Sequence, residues 1–430
     1  MSPTTTELTV KQNHVFPLTK SYLAFNFKWL TILGIWNPYK KGLKYWIYQG
    51  YWTYVITVVM AARLMTLLVR TLIAEDAATL LNEFSLLAVE LVDTLKYIAL
   101  VVHEKEVIEL SEAFNWERHL PGAERFKHYR NKVVTKALSA SRTFTIAIMI
   151  ALVEYYPFYY YSILTHSDYK VEKLPVGSVP LKYCFITSNF WMAFIFDWFT
   201  CTWLGLLAVC EDALIMAVLI NMTAQLEILN YRLERCHLTT YVLNDDEEYY
   251  ESSHTSFEYF EAQSGISSVD NPVVDPNEEL INCIKFHQHI KRMLKLFGTI
   301  FDKALLPQLF TSLLLITLLL LQMILGQQGN LLDSIIAMAF LFCVLLQLLA
   351  FCFGGNFVLV ESDRTGSSLH ASHWYDMDIT FRKNMKIFLG AVRNPMIVSA
   401  GGLVDLSAET FKNLLTKGYS GAAVLQNVSG

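Results

Sequence analysis

The chain has 430 residues, of which 53% are apolar, 13% aromatic and only 17% charged, with a formal net charge of −5. Soluble globular chains carry about 25% charged residues, so the deficit argues against an ordinary soluble domain. It points to an all-α polytopic protein whose partner is a lipid bilayer and not nucleic acid.

The first stretch, residues 1–45, is polar and dotted with lysine, without a short apolar run before a small-residue cleavage site. Apolar runs long enough to cross a bilayer then follow. They are Trp46 to Leu72, Ala78 to Val102, Ala137 to Leu164 and Phe190 to Leu219, which together define a membrane block over 46–220. The second run is interrupted by Glu83, Glu90, Asp93 and Lys96 near one face. An inward stripe paired with its neighbours is the expected role of these groups, with Glu83 or Glu90 beside a ligand cavity as the alternative. Glu154 in the third run and Asp197 in the fourth read the same way.

Residues 221–304 come next. Between Leu238 and Leu280 lie eleven acidic residues and no Lys or Arg, starting at Asp245 to Glu248, which predicts a mobile linker. Its flanks, Asn221 to Cys236 and Asn282 to Phe297, read as helices that prolong the fourth and fifth spans. Spans five and six, Leu305 to Leu325 and Leu331 to Val360, occupy 305–360 around a polar turn, Gly326 to Asn330. An amphipathic helix over Leu369 to Leu389, within 361–400, is too polar to span. These three non-spanning helices predict a packed domain below the membrane.

The final segment, 401–430, holds a seventh spanning helix from Ser407 to Asn427, with the preceding Gly401 onward read as part of it. That helix carries Glu409, Lys412, Asn413, Thr416, Lys417 and Gln426, and its outer half is small: Gly418, Ser420, Gly421, Ala422 and Ala423. Groups of this kind must be shielded by protein or line water. A pore-lining helix fits, as does a buried transporter helix or a cytosolic amphipathic tail. Periodicity alone favours Glu409, Lys412, Thr416, Ser420 and Ala423 as the working face.

Lysine and arginine set the orientation. Thirteen lie in the N-terminal segment and the second-to-third connection, against three (Lys170, Lys173, Lys182) in the first two loops of the other side. The N-terminus is therefore expected in the cytosol and, after seven spans, the C-terminus outside. That orientation is opposite to a G-protein-coupled receptor, and Asn394-Pro395 is not followed by the tyrosine of an NPxxY motif.

Catalytic motifs are missing. His103-Glu-Lys-Glu-Val is not HExxH, no phosphate-binding loop occurs, and the eleven histidines lack metal-ligand spacing. No enzyme, metal or cofactor is expected. Seven cysteines without a CxxC pair argue against a disulfide framework and predict inert buried thiols. What stands out instead is aromatic density at Tyr155 to Tyr161 and at Phe190 to Phe199. An interfacial belt accounts for it. A pocket for a small hydrophobic ligand does too, since Trp191, Phe194 and Trp198 recur at i, i+3 and i+7. The candidate lining, from the outer halves of spans two, three, four and six, is Phe84, Leu87, Val153, Tyr156, Trp191, Phe194, Trp198, Ile335 and Met338.

The end of the chain resembles the insect odorant receptor family. The resemblance rests on Trp374-Tyr375, Arg382-Lys383, Pro395, Ala400-Gly401-Gly402, Leu406-Ser407, Thr410-Phe411, Lys417, Tyr419-Ser420 and Leu425. It implies seven spans with a cytosolic N-terminus, a cytosolic helical anchor domain, and a tetramer whose last helices surround one pore. It implies an odorant-gated, non-selective cation channel at the plasma membrane of olfactory neuron dendrites. This chain would be a tuning subunit that binds a small volatile hydrophobic ligand and assembles with a coreceptor, because its acidic loop does not resemble the coreceptor's insertion. By the same resemblance the gate falls at the third and seventh residues after Tyr419, namely Ala422 and Gln426, with Ala423 beside them. A secondary transporter is the other class in view, although no internal repeat supports it. A gustatory receptor is disfavoured by Gly418-Tyr419 and Gln426-Asn427 in the last helix.

Overall fold

Helix follows apolar periodicity through most of the chain. The computed structural model describes residues 21–39, 41–74, 77–166, 190–238, 241–243, 249–251, 275–324 and 331–429. In chain order the helices are α1 (Ala24–Ile32), α2 (Leu43–Ile73), α3 (Ala77–Val102), α4 (Glu104–Ala113), α5 (Lys127–His166) and α6 (Phe190–Glu234). They continue with α7 (Pro276–Ile324), α8 (Leu331–Ala371), α9 (Ile379–Val392) and α10 (Ala408–Ser429). Two short antiparallel pairs complete the inventory: β1 (Tyr241–Leu243) with β2 (Tyr249–Glu251), and β3 (Ser399–Ala400) with β4 (Val404–Asp405).

Among the described residues, five helical segments are long and apolar enough to cross a membrane: Leu43–Ile73, Ala123–Ile150, Phe190–Glu234, Pro276–Met323 and Ile335–Ala371. The remaining two of the seven expected spans, α3 and α10, fall short of that standard because of their own charges. In α3 these are Glu83, Glu90, Asp93 and Lys96; in α10, Glu409, Lys412 and Lys417.

Length alone shows that the long helices do two jobs. At 1.5 Å per residue, the 45 residues of α6 and 49 of α7 reach about 68 and 74 Å, more than twice a hydrocarbon core of about 30 Å. Their far halves pack outside the membrane, against each other, α1, α4 and α9. The α7 extension buries Leu280, Cys283, Phe286, Ile290, Met293, Phe297 and Ile300, a three-and-four spacing that keeps one stripe facing its neighbours. On α9, Phe381, Met385, Phe388 and Val392 repeat the pattern and lie against α7.

Several expectations on residue ranges change. The N-terminal segment is not wholly outside the fold: α1 buries Leu23, Phe27 and Leu30 completely, against α6. Those residues sit four and three apart, a stripe too short for a search confined to membrane-length runs. The amphipathic segment over Leu369 to Leu389 is not one helix. The sixth span's helix continues to Ala371, and a new helix starts after Asp378, whose carboxylate accepts hydrogen bonds from the backbone N–H groups of Thr380 (3.3 Å) and Phe381 (2.9 Å). Gly401 to Ser407 is not helical either. Gly401 and Gly402 take φ of +62° and +66°, the left-handed region that lets β3 turn into β4. The acidic linker contains the β1–β2 pair, while its remaining residues, the turn at Gly326 to Asn330, Lys170, Lys173, Lys182 and Cys184 lie outside the described ones. Of the other six cysteines, Cys343 is exposed, contrary to the buried state expected for all.

Candidate functional site

Residues at two faces of the last helix behave oppositely. The helix begins where Ser407 Oγ accepts the Thr410 N–H at 3.2 Å, while the Thr410 hydroxyl donates to the Asp405 carbonyl at 2.7 Å. Leu406 N–H bonds the Val398 carbonyl at 2.8 Å, tying the start of α10 to the hairpin. A Cβ on Gly355 of α8 would come within 2.5 Å of the Leu406 backbone oxygen, so the two chains touch there with no room for a side chain.

Further along, Gly418, Gly421 and Ala422 lie three and one apart and face inward. A Cβ on Gly418 would meet Ile316 Cγ2 of α7 at 2.7 Å, and one on Gly421 would meet Thr317 Cγ2 at 3.1 Å. Ala422 is fully covered by its own chain. The small residues therefore let α10 lie close along α7, the role small residues play between membrane helices. That geometry corrects the expectation for Ala422: a residue enclosed within its own subunit does not face an ion path. The opposite face exposes Glu409, Lys412, Asn413, Thr416, Lys417, Tyr419, Ser420 and Gln426, with Ala423 half-buried. Periodicity had picked out most of this face. With 22 residues the helix is about 33 Å long, enough to cross a bilayer.

Behind α10, the charges of the bundle are paired. Lys96 is buried, and its Nζ lies 2.7 Å from both Asp93 and Asp212 Oδ1. Gln347 on α8 donates to Asp212 Oδ2 at 2.5 Å, and Gln308 on α7 donates to Gln347 Oε1 at 3.1 Å. One hydrogen-bonded chain thus joins α3, α6, α8 and α7. Glu211 is enclosed next to Asp212, and neither of its carboxylate oxygens has a hydrogen-bond partner. Nearer the other end, Arg63 Nη1 meets Asp197 Oδ1 at 2.9 Å, and the Tyr160 hydroxyl donates to Asp197 Oδ2 at 3.2 Å. Arg70 pairs with Glu83 at 2.5 Å. The inward stripe on α3 is met by partners from other helices at Glu83 and Lys96. These partners, Arg70, Asp212 and Gln347, were not singled out in the sequence, because each is one polar residue in a long apolar run.

The expected pocket residues are dispersed in the single chain. Leu87 is buried and Phe194 half-buried, its ring 5.4 Å from Tyr160. Phe84, Trp191, Trp198, Ile335 and Met338 are exposed, between 43% and 55%. The side chains of Val153, Glu154 and Tyr156 lie outside the described ones. Among the described residues, a groove of about 580 Å³ lies elsewhere, along α5 beside Lys132 and Lys136.

Outside the spans, a second set of charges holds the helical extensions together. Arg232 is buried completely and reaches Glu279 at 2.8 Å, Glu117 at 3.1 Å and the Pro121 carbonyl at 3.3 Å. Arg130 adds a 3.3 Å contact to Glu117. Burial pushes the Glu279 carboxyl upward, opposed by the Arg232 guanidinium. It also pushes the Cys236 thiol up to about 12, which keeps that group inert. No group of three or more His, Cys, Asp or Glu among the described residues is arranged to hold a metal ion.

Comparison with known proteins agrees with this architecture. The chain is 28% identical over 151 residues to Odorant receptor Or2 of Anopheles gambiae, a stretch covering 35% of this chain and 39% of that one. It is 23% identical over 154 residues to Odorant receptor 22b of Drosophila melanogaster, covering 35% and 37%. The aligned stretches thus span about two fifths of the length of these curated relatives. A solved structure, the insect olfactory receptor OR5 from Machilis hrabei in complex with eugenol, superposes over 95% of this chain and 99% of its own with a TM-score of 0.71. At 14% identity that likeness is one of fold. The family model described as 7tm Odorant receptor matches residues 76–419, from the start of α3 well into the last helix, and the chain accordingly belongs to the odorant receptor family.

Proposed function

We propose that this chain is the ligand-tuned subunit of an odorant-gated, non-selective cation channel, assembled with coreceptor subunits in the plasma membrane of olfactory neurons. The N-terminus lies in the cytosol and the C-terminus outside, following the lysine segregation. One observation carries the reading. A membrane-length helix turns its small residues onto α7 and leaves a polar face, Glu409 to Gln426, open to whatever lies beyond the subunit. A polar face of this kind suits a water-filled path between subunits and not lipid. The ligand, small, volatile and hydrophobic, is assigned to the end of the bundle near Phe84, Leu87, Phe194 and Tyr156. Burying apolar surface there contributes about 25 cal/mol per Å².

Co-expression with a coreceptor and a panel of volatile ligands tests the whole reading. A ligand-evoked cation current that needs this chain is expected, and a panel-wide absence of current with normal surface expression speaks for a transporter. Within the channel, Gln426→Glu and Gln426→Lys are expected to shift permeability or block in opposite directions, because a fixed charge in a narrow passage is poorly screened. Unchanged reversal potential and block in both would remove Gln426 from the path. Phe194→Ala and Leu87→Ala are expected to reorder ligand preference at constant expression, which dose–response curves read directly.

A further inference from the structure

The stretch from Lys127 to Ile150 contains no Asp or Glu, and its exposed face changes character along its length. Toward the start, Lys132, Thr135, Lys136, Ser139 and Arg142 are exposed, and the groove of about 580 Å³ runs past His128, Asn131, Lys132, Thr135, Lys136 and Ser139. Nearby carboxylates are engaged elsewhere. Glu124 pairs with Lys127 at 3.0 Å, Glu227 accepts the Tyr129 hydroxyl at 3.3 Å, and Glu117 is held by the buried Arg130 and Arg232. One turn beyond Arg142, about 6 Å along the axis, the same face becomes apolar: Ile146 is 47% and Ile150 53% exposed. A cationic face with hydroxyl donors thus runs directly into a lipid-facing one.

We infer that this face of α5 binds the headgroup of an anionic phospholipid, its phosphates held by Lys132, Lys136 and Arg142 while its acyl chains lie along Ile146 and Ile150. Arg142 stands at the level of the glycerol-linked phosphate. Lys136 and Lys132, about 6 and 15 Å further from it along the helix axis when counted from Arg142 and rounded to whole turns, reach a headgroup bearing additional phosphates. Thr135 and Ser139 donate hydrogen bonds between them. The face belongs to the lysine-rich side of the membrane, where anionic lipids concentrate. The inference rests on α5 crossing the membrane and not on channel activity, so a protein that conducts nothing still answers the test.

The test uses the full chain in nanodiscs of neutral phosphatidylcholine, titrated with short-chain phosphatidylinositol 4,5-bisphosphate. Saturable binding is expected. The variant Lys132→Gln/Lys136→Gln/Arg142→Gln should weaken it about 100-fold, at roughly fivefold per lost charge. Lys291→Gln/Lys295→Gln, exposed lysines on α7, should change it less than twofold. An equal loss in both variants would reduce the effect to bulk charge and overturn the site. Competition by soluble inositol trisphosphate at matching affinity would assign the groove to a free phosphate instead of a lipid. Acetylation footprinting of the wild-type chain needs no variant: the lipid should protect Lys132 and Lys136 and leave Lys291 and Lys295 reactive. Equal reactivity with and without lipid would sink the proposal.

Discussion

Two buried cations in this molecule are held in contrasting ways. Arg232, in the helical extensions, is closed in by two carboxylates from separate segments, a carbonyl, and the face of the Phe126 ring at 5.1 Å. Its planar, many-donor head suits a fixed junction. Lys96, in the membrane bundle, sits between two aspartates whose far side leads through Gln347 to Gln308, with Glu211 enclosed nearby and without a hydrogen-bond partner. The first arrangement locks one geometry. The second is a chain of single hydrogen bonds across four helices, each link replaceable by a small shift. The extensions read as the rigid base of the subunit and the bundle as the part able to rearrange.

That contrast is tested most severely at Arg232. Removing one partner of a buried ion pair leaves uncompensated charge and costs about 3–5 kcal/mol. Arg232→Ala is therefore expected to abolish folded, monodisperse protein on fluorescence-detected size exclusion. If the variant runs like the wild type with an unchanged Tm, the base is not held by this junction.

Sequence reasoning reached the two regions unequally. The spans emerged because hydrophobic runs are long, and α3 matches its expected limits to within a residue. The polarity of α10 was legible, and so was its open face. What could not be read was which small residues pack and which face the opening, since Gly418, Ser420, Gly421, Ala422 and Ala423 form one undifferentiated run. Only the neighbouring Ile316 and Thr317, a hundred residues away in the chain, separate them. The pairings of Lys96 and Arg232 were hidden for the same reason: Asp212, Gln347, Glu117 and Glu279 are brought in from distant segments. The pocket reading relied on helical spacing, which fixes a face but not what that face meets.

A middle-sized effect is expected where the bundle is tightest. Gly418→Val forces a side chain into Ile316 and costs about 1–3 kcal/mol. It should raise baseline leak or lower Tm, and Ile316→Ala should restore much of the loss in the double variant. Independent, additive effects would show that the two helices are not in the contact described.

The smallest effect concerns pH and belongs to the base. His287 packs edge-on against Phe388 of α9, with ring centroids 5.3 Å apart. Burial, assisted by Lys291, lowers its imidazole from the usual 6.5 to about 4. The unfolded chain then binds the proton first, so the contribution is complete above about pH 6.5 and declines as pH falls toward 4. Acidification from pH 7.5 to 5 should cost about 1–2 kcal/mol, seen as a Tm loss that His287→Gln diminishes. An identical pH dependence in both proteins would place the sensitivity elsewhere.

The glycine hairpin before α10 also has a consequence for sequence change. Because β3 and β4 are paired and Leu406 is tied back to Val398, the rotational phase of the last helix is set at its first turn. Each residue of an α-helix advances about 100°. A one-residue deletion between Asp405 and Ala408 would therefore swing Gly418 off Ile316 and turn the polar face into the bundle. Substitutions along Glu409, Lys412, Thr416 and Ser420 leave that phase untouched. The same framework can accept many different linings while rejecting any change in length.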